Sequence, residues 1–113
     1  MKVIYNKYIP FKGFYAVTIL RWIFVREEYR KYDGTITYKW MLNHEEIHLR
    51  QERELLYIFF YLIYLLEYLF NLIRYKGDTQ VAYAMISFER EAYAHEREPR
   101  YLRSRRPYSM WRK

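Results

Sequence analysis

The residue pattern predicts an α+β fold, mostly helical, in which a small N-terminal antiparallel β-sheet precedes the helices, and three observations carry that reading. Residues 2–6 (KVIYN) and 14–25 (FYAVTILRWIFV) are dense in β-branched and aromatic side chains. Between Met41 and Lys76 there is neither glycine nor proline, and Leu, Glu, Arg and Tyr predominate. Beyond Gly77, the residues Ala82, Ile86, Glu89, Tyr93 and Glu96 recur at helical spacing.

The N-terminal segments read as short strands because Pro10, Gly13, Asp33 and Gly34 punctuate them as turns, and residues 35–39 read as a third strand. Helix is expected from Met41 until Gly77 stops it. Asp78 or Thr79 can cap a further helix, which Pro99 closes. The tail at about residues 100–113, RYLRSRRPYSMWRK, is basic and aromatic and is expected to be loosely held. At 113 residues the chain is read as one domain, 1–113, with room for one core and one site. No internal repeat or linker interrupts it.

The absence of cysteine removes disulfides, thiolate metal sites and thiol catalysis together, so a metal would need His, Asp or Glu ligands. Twenty Lys and Arg against 13 acids leave a charge of +7, a surface that attracts anions without choosing among nucleic acid, lipid headgroups and acidic polypeptides. The start, MKVIYNKYIPFKGF, has no apolar run of signal-peptide length, so no secretory signal is expected and the cytoplasm is the expected location.

His44, Glu45 and His48 form H-E-x-x-H within the expected helix, which places both imidazoles on one face, one turn apart, within reach of a single ion. Glu45 follows the first histidine directly and is placed to take a proton from water and deliver it to a leaving amine. Zinc is the expected ion, because it brings bound water towards a pKa of about 7 and polarises a carbonyl. The chain has only three histidines, so an accidental match at this spacing is disfavoured.

A third ligand is sought in ISFEREAYAHE, where Glu89 is followed three residues later by the small Ala92, allowing close approach of the two helices. Glu91 points about 160° away on the helical wheel and is the weaker candidate. His95 could be a ligand, an oxyanion donor or a solvated side chain, with the solvated reading preferred. Tyr93 shares the Glu89 face and could donate to a developing oxyanion, although among fifteen tyrosines ordinary packing is the simpler reading. Asn43 and Gln51 flank the motif as candidates to orient the imidazoles.

The pairing of NHEEIH with the later S-F-E-R-E-A-Y resembles the gluzincin group of zinc peptidases, with HExxH followed by a helix bearing ExxA. Over nearly its full length the chain also resembles a set of small uncharacterised bacterial zincin-like proteins with an IPFKGF start, an NHExIH helix and a FEREAY helix. The resemblance implies a zincin-like fold, zinc at His44, His48 and Glu89, and Glu45 as general base. It departs from the gluzincin pattern at Tyr93, where Asp is frequent, at Glu46, a position more commonly uncharged, and in reading strands rather than a helix ahead of the motif.

Residues 55–73, LLYIFFYLIYLLEYLFNLI, are apolar on nearly every face, with Arg53 and Arg74 at the ends. A membrane span here would leave the histidines and Glu89 on opposite sides of about 30 Å of hydrocarbon, so the two readings exclude one another. Glu67 and the tyrosines favour a central core helix, with peripheral membrane contact left open. A straight helix from His48 to Tyr75 would run about 40 Å, so a return to Glu89 takes a helix break between residues 51 and 61, an extended return after Gly77, or a Glu89 supplied by a second chain, and the break is the expected solution.

Three functions follow. The first is a zinc metallopeptidase acting on a peptide or protein substrate, with a strand among residues 14–25 offering its edge to an extended chain. The second keeps the fold as a non-catalytic zinc-binding or membrane-peripheral interaction module. The third, disfavoured, sets Arg103, Arg105 and Arg106 on nucleic-acid phosphates with Tyr101, Tyr108 or Trp111 stacking on bases.

Overall fold

A computed structural model describes residues 2–9, 16–19 and 22–111. The β-rich N-terminal segments form three strands, β1 (Lys2–Asn6), β2 (Ala16–Ile19) and β3 (Trp22–Arg26), in the order β1-β3-β2. The sheet is mixed, which corrects the expected antiparallel one. The run 14–25 supplies two antiparallel strands instead of one, and β3 then pairs in parallel with β1. Asn6 ends β1 by accepting hydrogen bonds from the amides of Tyr8 and Ile9 on its side-chain oxygen. The turns assigned to Pro10 and Gly13, and most of the IPFKGF segment, lie outside the described residues.

Residues 35–39 are helical, not a third strand. Gly34 takes a positive φ of 92°, and the Thr35 hydroxyl accepts the Tyr38 amide as N-cap. That cap starts α1 (Ile36–Glu54), and continuity with the glycine-free run behind it overrides the β-propensity of Ile36, Thr37 and Tyr38. The helix is therefore a turn longer ahead of the histidines than the sequence suggests.

The expected break falls at Leu55–Tyr57. Leu56 and Tyr57 both have positive φ, the Ile58 amide reaches back to the Leu56 carbonyl, and the Tyr57 amide closes on Glu52. α2 (Ile58–Arg74) leaves α1 at 111°. Gly77, at a φ of 82°, ends the turn after α2, as expected, and the Asp78 carboxylate caps α3 (Thr79–Ala84). The helix expected beyond it is two pieces, because the chain kinks at Met85 and Ile86 before α4 (Ser87–His95). Glu67 on α2 holds the kink, accepting from both the amide and the hydroxyl of Ser87 at 2.7 Å.

Phe60, Ile86 and Phe88 centre a core joined by Leu55, Ile63, Tyr64, Tyr68, Tyr83 and Met110. α1 packs against β2, α2 and α4, placing its inner face between sheet and helix. The expectation that residues 55–73 form a central core helix does not hold. Within α2 only Phe60 and Asn71 are buried, while Ile58, Phe59, Leu62, Leu65, Leu66, Leu69, Phe70 and Ile73 are exposed. Only one side of α2 packs against the rest of the described chain, through Phe60, Tyr64 and Glu67.

The tail is docked, not loose. It forms α5 (Tyr101–Ser104) and a 3₁₀ turn at Ser109–Trp111. Between them the Arg105 side chain, 1% exposed, pairs with Glu91 at 2.5 Å and Glu54 at 2.7 Å. Trp111 stacks on Tyr108 and donates its indole N–H to Ser87. These contacts remove Arg105 from the proposed nucleic-acid grip.

Candidate metal centre

α1 and α4 bring the sequence-predicted ligands together. His44 Nε2, His48 Nε2 and Glu89 Oε1 form a nearly equilateral triangle with edges of 3.0–3.1 Å, and all three side chains are buried. Three donors sharing a tetrahedral zinc at bond lengths of about 2.0–2.2 Å would stand about 3.4 Å apart. Glu45 lies beside them, one oxygen 3.8 Å from His44 Nε2, and Glu45 with the two histidines forms an alternative ligand trio. Glu89 fits the ligand role better because a single oxygen of its carboxylate meets both imidazoles.

The outward ring nitrogens decide whether the inward ones can bind a cation. His44 Nδ1 faces Glu96 Oε1 at 3.1 Å, a carboxylate acceptor that holds the proton on Nδ1. His48 Nδ1 faces Gln51 Oε1 at 2.8 Å. The Gln51 amide is itself fixed, since its nitrogen donates to the Phe88 carbonyl at 3.0 Å and to Glu91 at 2.9 Å. Its oxygen must then turn to His48 and accept from Nδ1–H. Both Nε2 lone pairs consequently point at one another and at Glu89, an arrangement that favours a shared cation.

The electrostatics agree. Burial works against a charged His44, yet hydrogen bonds donated to Glu89 and Glu96 and the charge of Glu45 outweigh it and push the imidazole up to about 10. Burial likewise opposes a charged His48, but Glu89 raises it overall. Burial pushes Glu89 up, and the two histidines overcome this and hold it well below the ordinary carboxylate range. Burial dominates at Glu45, which is raised despite the attraction of His48 and His44. A carboxylate made more basic by burial suits a general base.

Strand β2 supplies the wall opposite α1. Thr18 is buried, and its hydroxyl donates to both the carbonyl and the side chain of Glu45, at 3.1 and 3.0 Å. Tyr64 on α2 donates to the second Glu89 oxygen at 2.7 Å. Burial and the neighbouring Glu89 charge both raise the Tyr64 hydroxyl, keeping it a neutral donor. Glu45, His48 and Glu89 open onto a cleft of about 760 Å³ walled by β2 and by aromatic residues of α2 and α3, among them Phe60, Tyr64, Tyr68 and Tyr83. Among the described residues, β2 pairs only with β3, leaving its other edge for the cleft.

Tyr93 packs its ring edge-on against His44 with centroids 4.5 Å apart, and its hydroxyl lies 3.3 Å from that of Tyr83. It remains beside the cluster. His95 does not join it: its ring stacks on Tyr101 at 3.8 Å and its Nδ1 pairs with Glu98 at 2.8 Å, so it is a partly buried packing residue and not the solvated side chain expected. Asn43 orients no imidazole. Its amide donates to the carbonyls of His95, Glu96 and Glu98, tying the end of α4 to α1. Gln51 meets the His48 imidazole as expected, and Glu91 accepts from Gln51, Tyr101 and Arg105.

Glu96, Thr18 and Tyr64 were not anticipated as partners of the centre. Glu96 carried a signal, standing seven residues after Glu89 on the same helical face. Thr18 and Tyr64 arrive through tertiary packing and carry none. No family model, curated protein or solved structure matches this chain.

Proposed function

We propose that the chain is a zinc-binding, gluzincin-like metallopeptidase, with His44, His48 and Glu89 as ligands and Glu45 as general base. The observation that carries the reading is the convergence of two tautomerically fixed imidazoles and one carboxylate oxygen beside a second, pKa-raised carboxylate. Zinc held there would acidify water and polarise a carbonyl. The remaining work falls to the chain. Glu45 takes the proton from water and passes it to the leaving amine nitrogen. The edge of β2 pairs with an extended peptide through main-chain hydrogen bonds, and the aromatic wall receives a large apolar side chain. The Tyr93 hydroxyl, 3.3 Å from that of Tyr83, is the candidate donor to a developing oxyanion.

The test is elemental analysis of protein purified without added metal, followed by a cleavage assay. About one zinc per chain is expected, lost in His48→Ala and Glu89→Ala, because each substitution leaves two protein ligands. Glu45→Gln should keep zinc and abolish cleavage of an unstructured protein substrate. Absence of zinc after reconstitution would refute the metal site; cleavage by Glu45→Gln at the wild-type rate would refute the assigned base.

A further inference from the structure

The exposed apolar residues of α2 are not scattered. At 100° per residue the eight of them occupy an arc of about 140°, in which no polar residue falls. Each is roughly half to four-fifths exposed, giving a patch on the order of 1,000 Å², about twice the largest patch on an ordinary monomer. Its opposite side is committed: Phe60 to the core, Tyr64 to Glu89 and Glu67 to Ser87. No single helix among the described residues is long and apolar enough to cross a membrane. The meeting of α1 with α4 also keeps both ends of α2 on one side of any bilayer.

The ends of the stripe are basic. Arg53 precedes it and Arg74 and Lys76 follow it, all exposed, with the Arg74 guanidinium 5.6 Å above the Tyr75 ring. The acids nearest in sequence are engaged elsewhere, Glu54 by Arg105 and Asp78 by the Val81 amide. Tyr57 and Tyr75, half-buried, bracket the helix as aromatic residues do at a membrane boundary. A second copy of the chain is a poor occupant, because packing two stripes in either direction brings basic ends together on molecules that each carry +7.

We infer that α2 lies in the plane of an anionic lipid surface, its apolar stripe in the acyl boundary and its basic ends among the headgroups. The orientation follows the logic of in-plane amphipathic helices, with apolar burial supplying depth and cationic flanks selecting anionic lipid. The tyrosines that line the cleft, Tyr61, Tyr64 and Tyr68, stand on the neighbouring face of the same helix. A docked molecule would therefore hold its cleft close to the lipid surface. This inference is independent of the metal centre.

The test is co-sedimentation of the full chain with phosphatidylcholine vesicles containing about a third phosphatidylserine, against vesicles without it. Leu62→Glu/Leu69→Glu places two charges in the middle of the stripe at already exposed positions, with circular dichroism as the check on folding. The expected result is binding to the anionic vesicles only, weakened at least about tenfold by the double substitution and by raised salt. Three results would overturn the inference: no binding to anionic vesicles, equal binding to neutral ones, or binding unchanged by the double substitution. A dimer in sedimentation equilibrium that the same substitution dissociates, without lipid binding, would assign the stripe to a second copy instead.

Discussion

Gln51→Met separates the argument about tautomers from any general effect on folding. Gln51 is fully buried, and methionine fills similar space while removing three hydrogen bonds: one from His48 Nδ1 and two to Phe88 and Glu91. With no acceptor behind it, His48 loses the bond that holds its proton on Nδ1. Loss of such an outer partner reduces metal affinity about 10- to 100-fold, or about 1.4 to 2.7 kcal/mol. The metal-free protein should also lose about 2–4 kcal/mol, towards the lower end because Glu91 retains Arg105 and Tyr101. Zinc affinity is read by competition with a chromophoric chelator at neutral pH, and stability by urea unfolding of metal-free protein. Gln51→Glu discriminates between the two effects. It restores an acceptor for His48 while setting a carboxylate against Glu91, so it should recover most of the zinc affinity and little of the stability. Wild-type zinc affinity in Gln51→Met, or affinity in Gln51→Glu as poor as in Gln51→Met, would refute the argument.

Two further substitutions test how the centre is supported. Arg105→Met leaves the Glu91 carboxylate buried without its cation and should cost about 3–5 kcal/mol in urea unfolding. Burial raises the Glu91 carboxyl, but hydrogen bonds from Arg105, Tyr101 and Gln51 lower it further, so its folded pKa lies below the unfolded value. Its contribution is therefore present above about pH 4.5 and lost as pH falls through the folded pKa, and the acid limb of a stability profile should be shallower in Arg105→Met than in wild type. Glu67→Ala strips the amide and hydroxyl of Ser87 of their acceptor and should cost about 1–3 kcal/mol in thermal unfolding. Because Glu89 lies two residues further on, the same change should weaken zinc binding.

Much of the site was legible because its chemistry is encoded locally. The spacing of His44, Glu45 and His48 is a helical statement, and Glu89 with Ala92 states a close helix approach in the same terms. Length alone asks for a bend between His48 and Glu89 or a second chain, and a break before residue 61 is the expected one of these. What failed was whatever depended on the surroundings. Residues 35–39 carry β-propensity, yet one cap at Thr35 and the helix behind it decide their state. The apolar run 55–73 has the composition of a buried helix, but composition cannot report that only one of its faces meets the rest of the described chain. Arg105 reads as one more surface charge in a basic tail, and its burial depends on Glu54 and Glu91 reaching one point from different helices.

Glu67 shows how these two kinds of information join. In the sequence it is the one charged residue of an apolar run and counts against insertion into a membrane. In the structure its carboxylate holds the first residue of α4, on the side of α2 turned away from the exposed stripe. α2 is thus the segment that separates the histidines from Glu89 along the chain and also the one that fixes their meeting. The turn at Leu55–Tyr57 sends it off α1, Glu67 anchors Ser87, and Tyr64 takes the Glu89 oxygen that faces away from the imidazoles. An apolar helix without a carboxylate at position 67 could still pack through Phe60, but the start of α4 would lose the two bonds to Ser87 that act alongside the Gln51–Phe88 bond in holding Glu89 where it is. The residue that looks least suited to its helix is thus one of those that hold the proposed third ligand in place.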